Sequence, residues 1–235
     1  TSLEDEDALW AWHARDPMGG DLRCFLSLVP DLDLQSLGPG PGRYLSYGAY
    51  PLSDGGFALP GGLWRHGAQV ADPVDTHSIS EDATHAWLAQ ARTPLHPWHG
   101  LTRPEPDKPQ AYTWNKAPRL GGEVIETGAI ARQLTGGQAL VRDSVQRHGG
   151  VVYTRVLARL IELARVVPLM EAWLQALQPG ERFCEPVHLP EHGQGMGLSE
   201  AARGSLGHWL VVQHGRIANY QIVAPTSWNF SPRDA

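Results

Sequence analysis

The chain has 235 residues, of which 42% are hydrophobic and 19% are charged, so its composition is that of a folded protein and excludes a disordered one. Its formal net charge of −6 provides no basic field, which argues against a nucleic-acid partner. Because no apolar run reaches the length of a bilayer span, we predict no transmembrane segment.

Two short helices are predicted in the first hundred residues. Ser2 with Asp5 forms a loose capping box, which predicts a helix over residues 2–15. A second helix is predicted to begin at Ser80-Glu81-Asp82 and to run to about Ala91. The apolar face of the first helix would carry Leu9, Trp10 and Trp12.

Strands and an extended segment fill the rest of this region. Residues 43–50 (RYLSYGAY) are rich in aromatic side chains and predict a strand. Shorter strand-like pieces follow near residues 57–59 and 63–64. Residues 94–122 contain many proline and glycine residues, and we expect an ordered, extended crossing because tryptophans would anchor it. Those anchors are Trp98 and Trp114.

A long core helix gives the strongest periodic signal in the chain. Apolar residues recur at alternating steps of four and three, as expected for one face of a helix. Pro168 interrupts the pattern and predicts either a kink or two helices that meet there. The apolar residues are Val156, Leu160, Leu163, Val167, Met170, Leu174 and Leu177.

A β-hairpin is predicted after this helix. Residues 208–213 and 216–223 flank His214-Gly215, and Pro225 ends the second strand. We therefore predict an α+β fold with a long kinked core helix or helix pair, shorter helices and small antiparallel β-hairpins. It would form a single domain over residues 1–235, with a mixed α/β part at 1–110 and a helical core plus β-hairpin at 111–235.

The cysteines do not form a recognisable metal or redox motif. Cys24 and Cys184 lie far apart in sequence, and we interpret both as small buried hydrophobic residues. Cys184, His188 and His192 are spaced by four and would share one face of a helix. Because prolines interrupt this span at 186 and 190, solvated or packing histidines are the favoured interpretation.

Three further features admit a functional and a structural interpretation. His96 and His99 could share a metal ion, but packing is favoured because no carboxylate or cysteine is near in sequence. Residues 193–197 (GQGMG) lack the preceding apolar strand that a phosphate-binding loop requires. Arg203 lies among small residues and could direct its guanidinium at an anion, or it could form a surface ion pair.

Seven ordered motifs are distributed along the chain. They are residues 43–48 (RYLSYG), 96–100 (HPWHG), 112–119 (YTWNKAPR), 126–132 (ETGAIAR), 200–209 (EAARGSLGHW), 219–229 (NYQIVAPTSWN) and 231–234 (SPRD). Together they resemble the motifs of nickel–iron hydrogenase large subunits. The resemblance extends over essentially the whole chain and implies the central part of that subunit's fold.

The resemblance implies an enzyme that splits H2 at a nickel–iron centre whose iron carries carbon monoxide and cyanide. Arg203 matches the family arginine that overhangs the metals and contacts a cyanide. Thr226 matches the hydroxyl residue that donates to another cyanide, and Pro225 matches the wall beside it. Ala202 replaces a more common proline, and together with residues 224–234 (APTSWNFSPRD) it resembles the soluble uptake and hydrogen-sensing branch.

The two CxxC pairs that hold the metals in this family do not occur in the sequence. We therefore expect this chain alone to be inactive and to bind no cofactor. In the intact subunit the resemblance implies an iron–sulfur small subunit as partner and H2 as substrate. The alternative is a cysteine-less paralogue that acts as a scaffold in hydrogenase maturation.

The location of the protein is suggested only by its first residues. They are acidic and contain no apolar signal core. We expect a cytoplasmic protein, with the periplasmic side of a membrane as the alternative.

Overall fold

A computed structural model describes residues 3–182, 184, 186–188 and 190–233. Within them the fold is α+β, as predicted from the sequence. No helix in this part of the chain combines the length and the apolar character needed to cross a bilayer. The helices are α1 (Glu6–His13), α2 (Asp21–Asp31), α3 (Ala129–Thr135), α4 (Ala139–His148), α5 (Val152–Ala176) and α6 (Pro225–Asn229).

The strands form two three-stranded sheets, with orders β4-β1-β7 and β10-β9-β8, and two separate pairs, β2-β3 and β5-β6. Strand β1 is antiparallel to β4 and parallel to β7. The strands are β1 (Arg43–Ser46), β2 (Ala49–Pro51), β3 (Phe57–Leu59), β4 (Gly62–Arg65), β5 (Ile79–Asp82), β6 (Ala117–Leu120), β7 (Glu126–Thr127), β8 (His192–Ala201), β9 (Gly204–Gln213) and β10 (Arg216–Val223).

Strand β1 separates the two central core clusters. Tyr44 packs with Trp64 and residues of α3, α4 and α5, whereas the next residue, Leu45, packs with Trp209 and Trp228. This alternation follows from the two-residue period of a strand. Strand β1 also pairs with β7, so the two predicted parts on either side of residue 110 share one sheet. The division at that position stays a prediction.

The first helix and the hairpin are confirmed. The carboxylate of Asp5 caps α1 and accepts a hydrogen bond from the amide of Ala8 at 2.8 Å, while Ser2 lies outside the described residues. Strands β9 and β10 are joined by His214-Gly215, as predicted. The GQGMG segment at residues 193–197 belongs to β8, a third strand of this sheet, and is not a phosphate-binding loop.

The predicted helix over residues 80–91 is wrong. Residues Ile79–Asp82 form β5 and pair with Ala117–Leu120 of β6. The Asp82 carboxylate accepts from the amide of Thr84 at 2.7 Å and so forms a local turn. An aspartate such as Asp82 can either cap a helix or stabilise a turn. Here the pairing of β5 with β6 favours the turn.

The predicted extended crossing is only partly anchored by its tryptophans. Trp98 is half-buried and packs against the core cluster that contains Leu45. Trp114 is largely exposed, although its ring lies 5.4 Å from that of Trp87. The crossing contributes the extended strand β6, but a short 3₁₀ helix at Pro97–His99 interrupts it, so it is not extended throughout.

Helix α5 is a core helix only at its beginning. It runs without interruption through Pro168, so the alternative of two helices is wrong. Ala164 and Pro168 are both exposed, and water can replace the hydrogen bond that the proline removes. Tyr153 and Leu157 are buried, but the later part of the predicted apolar face is exposed. Its exposed members include Leu163 (59%), Val167, Met170 and Leu174 (71%).

This exposed face predicts that the chain associates with itself. Replacing Leu163 and Leu174 together with Gln should lower the fluorescence of a bound apolar dye and reduce concentration-dependent light scattering. The free energy of unfolding should change by only about 0.5 kcal/mol, since Gln is a good helix former at exposed positions. As a control, Leu157→Ala should lower it by about 2–5 kcal/mol because Leu157 is fully buried. A wild-type chain that is a monodisperse monomer and binds no dye would contradict the prediction.

Candidate active-site cavity

Arg203 lies on the two-residue turn between β8 and β9. Ala201 pairs with Gly204 across this turn, and Gly204 has a φ of 130° that favours glycine. A side chain at Gly204 would collide with the Thr127 side chain and the backbone of Gly128. The turn therefore packs closely against the junction of β7 and α3, which fixes the point from which Arg203 projects.

Arg132 holds the same turn from the other side. Its guanidinium donates two hydrogen bonds to Glu162, at 2.8 and 2.6 Å, and one to Glu200 at 2.8 Å. It also donates to the carbonyl oxygens of Ala201 at 3.0 Å and Ala202 at 3.2 Å. All five N–H groups are thus used. The arginine connects α3, α5, β8 and the turn.

The carboxylate of Glu200 is almost fully buried and has further partners. It accepts from the amide of Tyr47 at 2.9 Å and lies 2.7 Å from the Ser205 hydroxyl. Burial raises the pKa of Glu200, while the hydrogen bonds from Ser205, Tyr47 and Arg132 act in the opposite direction. Burial alone would lower the pKa of Arg132, but Glu162 and Glu200 raise it, so the arginine is charged.

Thr226 is placed by the docking of α6 on β7. The side-chain amide of Asn229 accepts from the amide of Thr127 at 2.9 Å and donates to the carbonyl of Thr127 at 3.1 Å. Pro225 is buried at the first position of α6. A proline is tolerated there because the backbone N–H at this position would have no partner within the helix. The two hydrogen bonds between Asn229 and Thr127 hold α6 against β7, and so they also fix the position of Thr226, the second residue of α6.

A cavity of about 640 Å³, called the first cavity, brings two of the predicted residues together. Its walls include Arg203 and Thr226, whereas Pro225 does not line it. Ala202 lies beside a second cavity of about 910 Å³, whose wall also includes Arg203. The structure therefore gathers two of the four predicted site residues in one cavity and puts the other two beside it.

The first cavity carries an excess of positive charge, with three arginines and one glutamate in its lining. Arg155 pairs with Glu126 at 2.5 and 2.9 Å, and these hydrogen bonds raise the pKa of Arg155. Arg203 and Arg159 also line the cavity, and no hydrogen bond or ion pair found among the described residues involves their side chains. The buried Thr127 hydroxyl has no hydrogen-bond partner within the described part of the chain. Unpaired guanidinium groups and a free hydroxyl favour an anionic or polar ligand.

These residues do not by themselves fit the metal ligands of a nickel–iron centre. The Cys24 thiol lies on α2 and contacts the carbonyl of Met18 at 3.7 Å. Cys184 is exposed, so its interpretation as a buried hydrophobic residue is wrong. Neither cysteine lines the first cavity. Since a soft-ligand centre requires thiolates, the residues that line the first cavity offer outer donors but no ligands for the metals of such a centre.

Neither histidine spacing considered in the sequence forms a cluster of three metal-ligating groups among the described residues, which agrees with the favoured packing interpretation. Nε2 of His96 donates to the Thr76 carbonyl at 3.1 Å, and the ring packs against Trp98 and Trp209, so His96 is a packing residue. Its burial lowers its pKa. Among the described residues, the metal-compatible cluster is Glu191, His192 and His214, which combines only one member of the Cys184-x3-His188-x3-His192 pattern.

Sequence reasoning missed the residues that position the site. Arg132 and Thr127 lie in the ETGAIAR segment, Glu200 begins the EAARGSLGHW segment, and Asn229 ends the NYQIVAPTSWN segment. Their membership of the motifs was the available signal. Their roles as anchors depend on contacts between residues up to 153 positions apart, which the sequence does not show.

Comparisons with known proteins agree on one family. A model of the nickel-dependent hydrogenase family matches residues 21–235. The hydrogenase-1 large chain of Escherichia coli (strain K12) is 30% identical over 240 residues, which cover 81% of this chain and 40% of that protein. The periplasmic NiFeSe hydrogenase large subunit of Desulfomicrobium baculatum is 32% identical over 222 residues, which cover 86% and 43%. The chain thus spans less than half of these relatives.

Solved structures give the same result. An H2-activated NiFeSe hydrogenase of Desulfomicrobium baculatum superposes with a TM-score of 0.77 at 28% identity, covering 100% of this chain and 53% of that one. The oxidised Ni-Fe-Se hydrogenase of Desulfovibrio vulgaris Hildenborough gives a TM-score of 0.78 at 27% identity, covering 100% and 54%. The α+β arrangement described above is therefore that of about half of a hydrogenase chain.

Two arginines of the site should differ sharply in their contribution to stability. Arg132→Met should lower the free energy of unfolding by about 3–5 kcal/mol because it leaves Glu162 and Glu200 buried without their partner. Arg203→Met should change it by about 0.5 kcal/mol or less, since Arg203 is exposed. Urea unfolding followed by circular dichroism measures both. Equal losses in the two variants would contradict the assignment of Arg132 as the anchor.

Proposed function

The chain belongs to the nickel-dependent hydrogenase family, and we propose that it forms part of a large subunit which, when intact, catalyses the reversible heterolytic cleavage of H2 into protons and electrons. The observation that carries the proposal is the shared cavity of Arg203 and Thr226. These residues come from separate motifs, and their meeting in a positively charged cavity fits a site that holds anionic ligands.

Arg203 and Thr226 would serve the site as fixed donors. The guanidinium of Arg203 has no competing partner among the described residues and offers a permanent positive charge. Such a charge, held in a sheltered cavity, stabilises charge that develops when H2 is split. Thr226 would add a hydroxyl donor. Pro225 would hold Thr226 in place, and Ala202 would keep the arginine turn narrow.

The metal centre itself would be held elsewhere in the intact subunit. We propose a nickel–iron centre with carbon monoxide and cyanide on the iron, bound by cysteines outside these 235 residues, since neither Cys24 nor Cys184 lines the cavity. Bound there, the centre would supply the redox chemistry, and residues of this chain would orient its anionic ligands.

The partner and the location follow from the same proposal. An iron–sulfur small subunit would receive the electrons. The cytoplasmic location and the uptake or hydrogen-sensing branch stay predictions, and the relative named periplasmic fits the alternative location.

A maturation scaffold is the second candidate function. The observation that favours it is the cavity's lack of thiolates among the described residues. In that case the intact polypeptide would carry the outer donors but hold no metal of its own. Metal content separates the two candidates directly.

The intact polypeptide, purified from its own cells, should contain one nickel per molecule and reduce a viologen dye with H2. Arg203→Lys should lower this rate by roughly 100-fold, because a lysine lacks the planar guanidinium, while the nickel and iron contents stay unchanged. The 235-residue chain alone should show no H2-dependent dye reduction. An intact polypeptide without nickel would overturn the enzyme proposal and favour the scaffold.

A further inference from the structure

Three side chains with metal-ligating atoms meet at the end of the β8–β9–β10 sheet that lies opposite the Arg203 turn. The ligand atoms of Glu191, His192 and His214 all lie within 4.8 Å of one another. We propose that these three residues, here called the tip triad, bind a divalent transition-metal ion of the Zn²⁺ class. The site is separate from the first cavity, because none of the three residues lines it.

The backbone fixes the three positions relative to one another. His192 is the first residue of β8 and lies opposite Gln213, the last residue of β9. His214 follows directly in the turn, and the amide of Gly215 donates to the carbonyl of Glu191 at 3.0 Å. The ligands thus come from two chain segments that the sheet register and this hydrogen bond hold together.

The turn that carries His214 fixes the backbone at this corner of the sheet. His214 has a φ of 53° and Gly215 has a φ of 66°, as a two-residue type I′ hairpin turn requires. Histidine is among the residues enriched at positive φ, so it occupies this position with little backbone strain. The turn therefore holds the imidazole of His214 close to Glu191 and His192.

The side chains can close around an ion without moving the backbone. The rings of His192 and His214 are 4.9 Å apart with an angle of 76° between them, and Nδ1 of His214 lies 4.0 Å from Oε1 of Glu191. Bonds of about 2.0–2.2 Å to an ion require ligand atoms about 3.4 Å apart in a tetrahedral arrangement. His214 and Glu191 are 83% and 72% exposed, so changes of rotamer supply the remaining shift.

The ligand set determines the class of ion. Two imidazoles and one carboxylate suit Zn²⁺, Ni²⁺ or Cu²⁺, with water in the remaining coordination positions. Mg²⁺ and Ca²⁺ prefer all-oxygen sites and should not compete. No thiolate takes part, so this ion is unrelated to the nickel–iron centre of the intact subunit, and the proposal does not depend on the proposed function.

The sequence spacing and the structure name different ligands, which provides a direct test. The spacing groups His192 with Cys184 and His188, whereas the structure groups it with Glu191 and His214. Replacing His214 with Asn removes the imidazole and keeps a residue that tolerates positive φ, so the turn is preserved. His188→Ala removes an exposed histidine outside the triad and is the matched control.

The experiment is calorimetric titration of the complete 235-residue chain, without an affinity tag, with Zn²⁺ at pH 7.5. We expect one ion per chain, binding weakened roughly tenfold or more in His214→Asn and in His192→Gln, and affinity unchanged within about twofold in His188→Ala. Mg²⁺ should give no heat of binding.

Two results would overturn the proposal. One is the absence of Zn²⁺ binding by the wild-type chain. The other is binding that survives His214→Asn and is lost in His188→Ala, which would assign the ion to Cys184, His188 and His192. Circular dichroism of each variant confirms that the fold is intact.

Discussion

The buried guanidinium of Arg132 is the interaction on which the candidate cavity depends. It joins α3 to α5 through Glu162, to β8 through Glu200, and to the following turn through two carbonyl groups. A buried charge of this kind is tolerated only when its donors are all satisfied, as they are here. Because Glu200 also accepts from the amide of Tyr47, the same network extends to the segment after β1. The network is thus one connected electrostatic unit that holds the Arg203 turn and lines the second cavity.

Local signals in the sequence predicted the fold well where a few neighbouring residues decide the outcome. The Asp5 cap and the His214-Gly215 turn were both read from adjacent positions. Prediction failed where distant residues decide. The segment after Ser80 contains helix-compatible residues, yet β6 recruits Ile79–Asp82 into a strand pair. The sequence periodicity predicts the apolar face of α5. It does not predict which part of that face is buried by other residues of the same chain and which part stays exposed.

For the candidate site, the sequence predicts the residues that line the cavity but not the residues that hold them in position. Arg203 and Thr226 were found because they lie in long motifs that resemble a known family, and both line the same cavity. Asn229 lies in the same motif as Thr226 and Arg132 ends a separate one, but both act through backbone contacts that become visible only in three dimensions. Of the tip triad, the sequence indicates only His192 as a possible ligand. Its spacing suggests Cys184 and His188 as partners, whereas the structure puts Glu191 and His214 beside it.

The chemistry of the Arg132 network explains why it is polar at all. Burying an arginine with two carboxylates costs desolvation energy that the ion pairs only about offset, and well-packed hydrophobic residues of similar volume are often as stable or more so. A hydrophobic replacement could fill the space, but it could not donate to the carbonyls of Ala201 and Ala202. Those two bonds set the backbone directly before Arg203. The network is therefore best understood as a device for position, which leaves the exposed guanidinium of Arg203 free to meet a ligand while a second, buried guanidinium holds its turn in place.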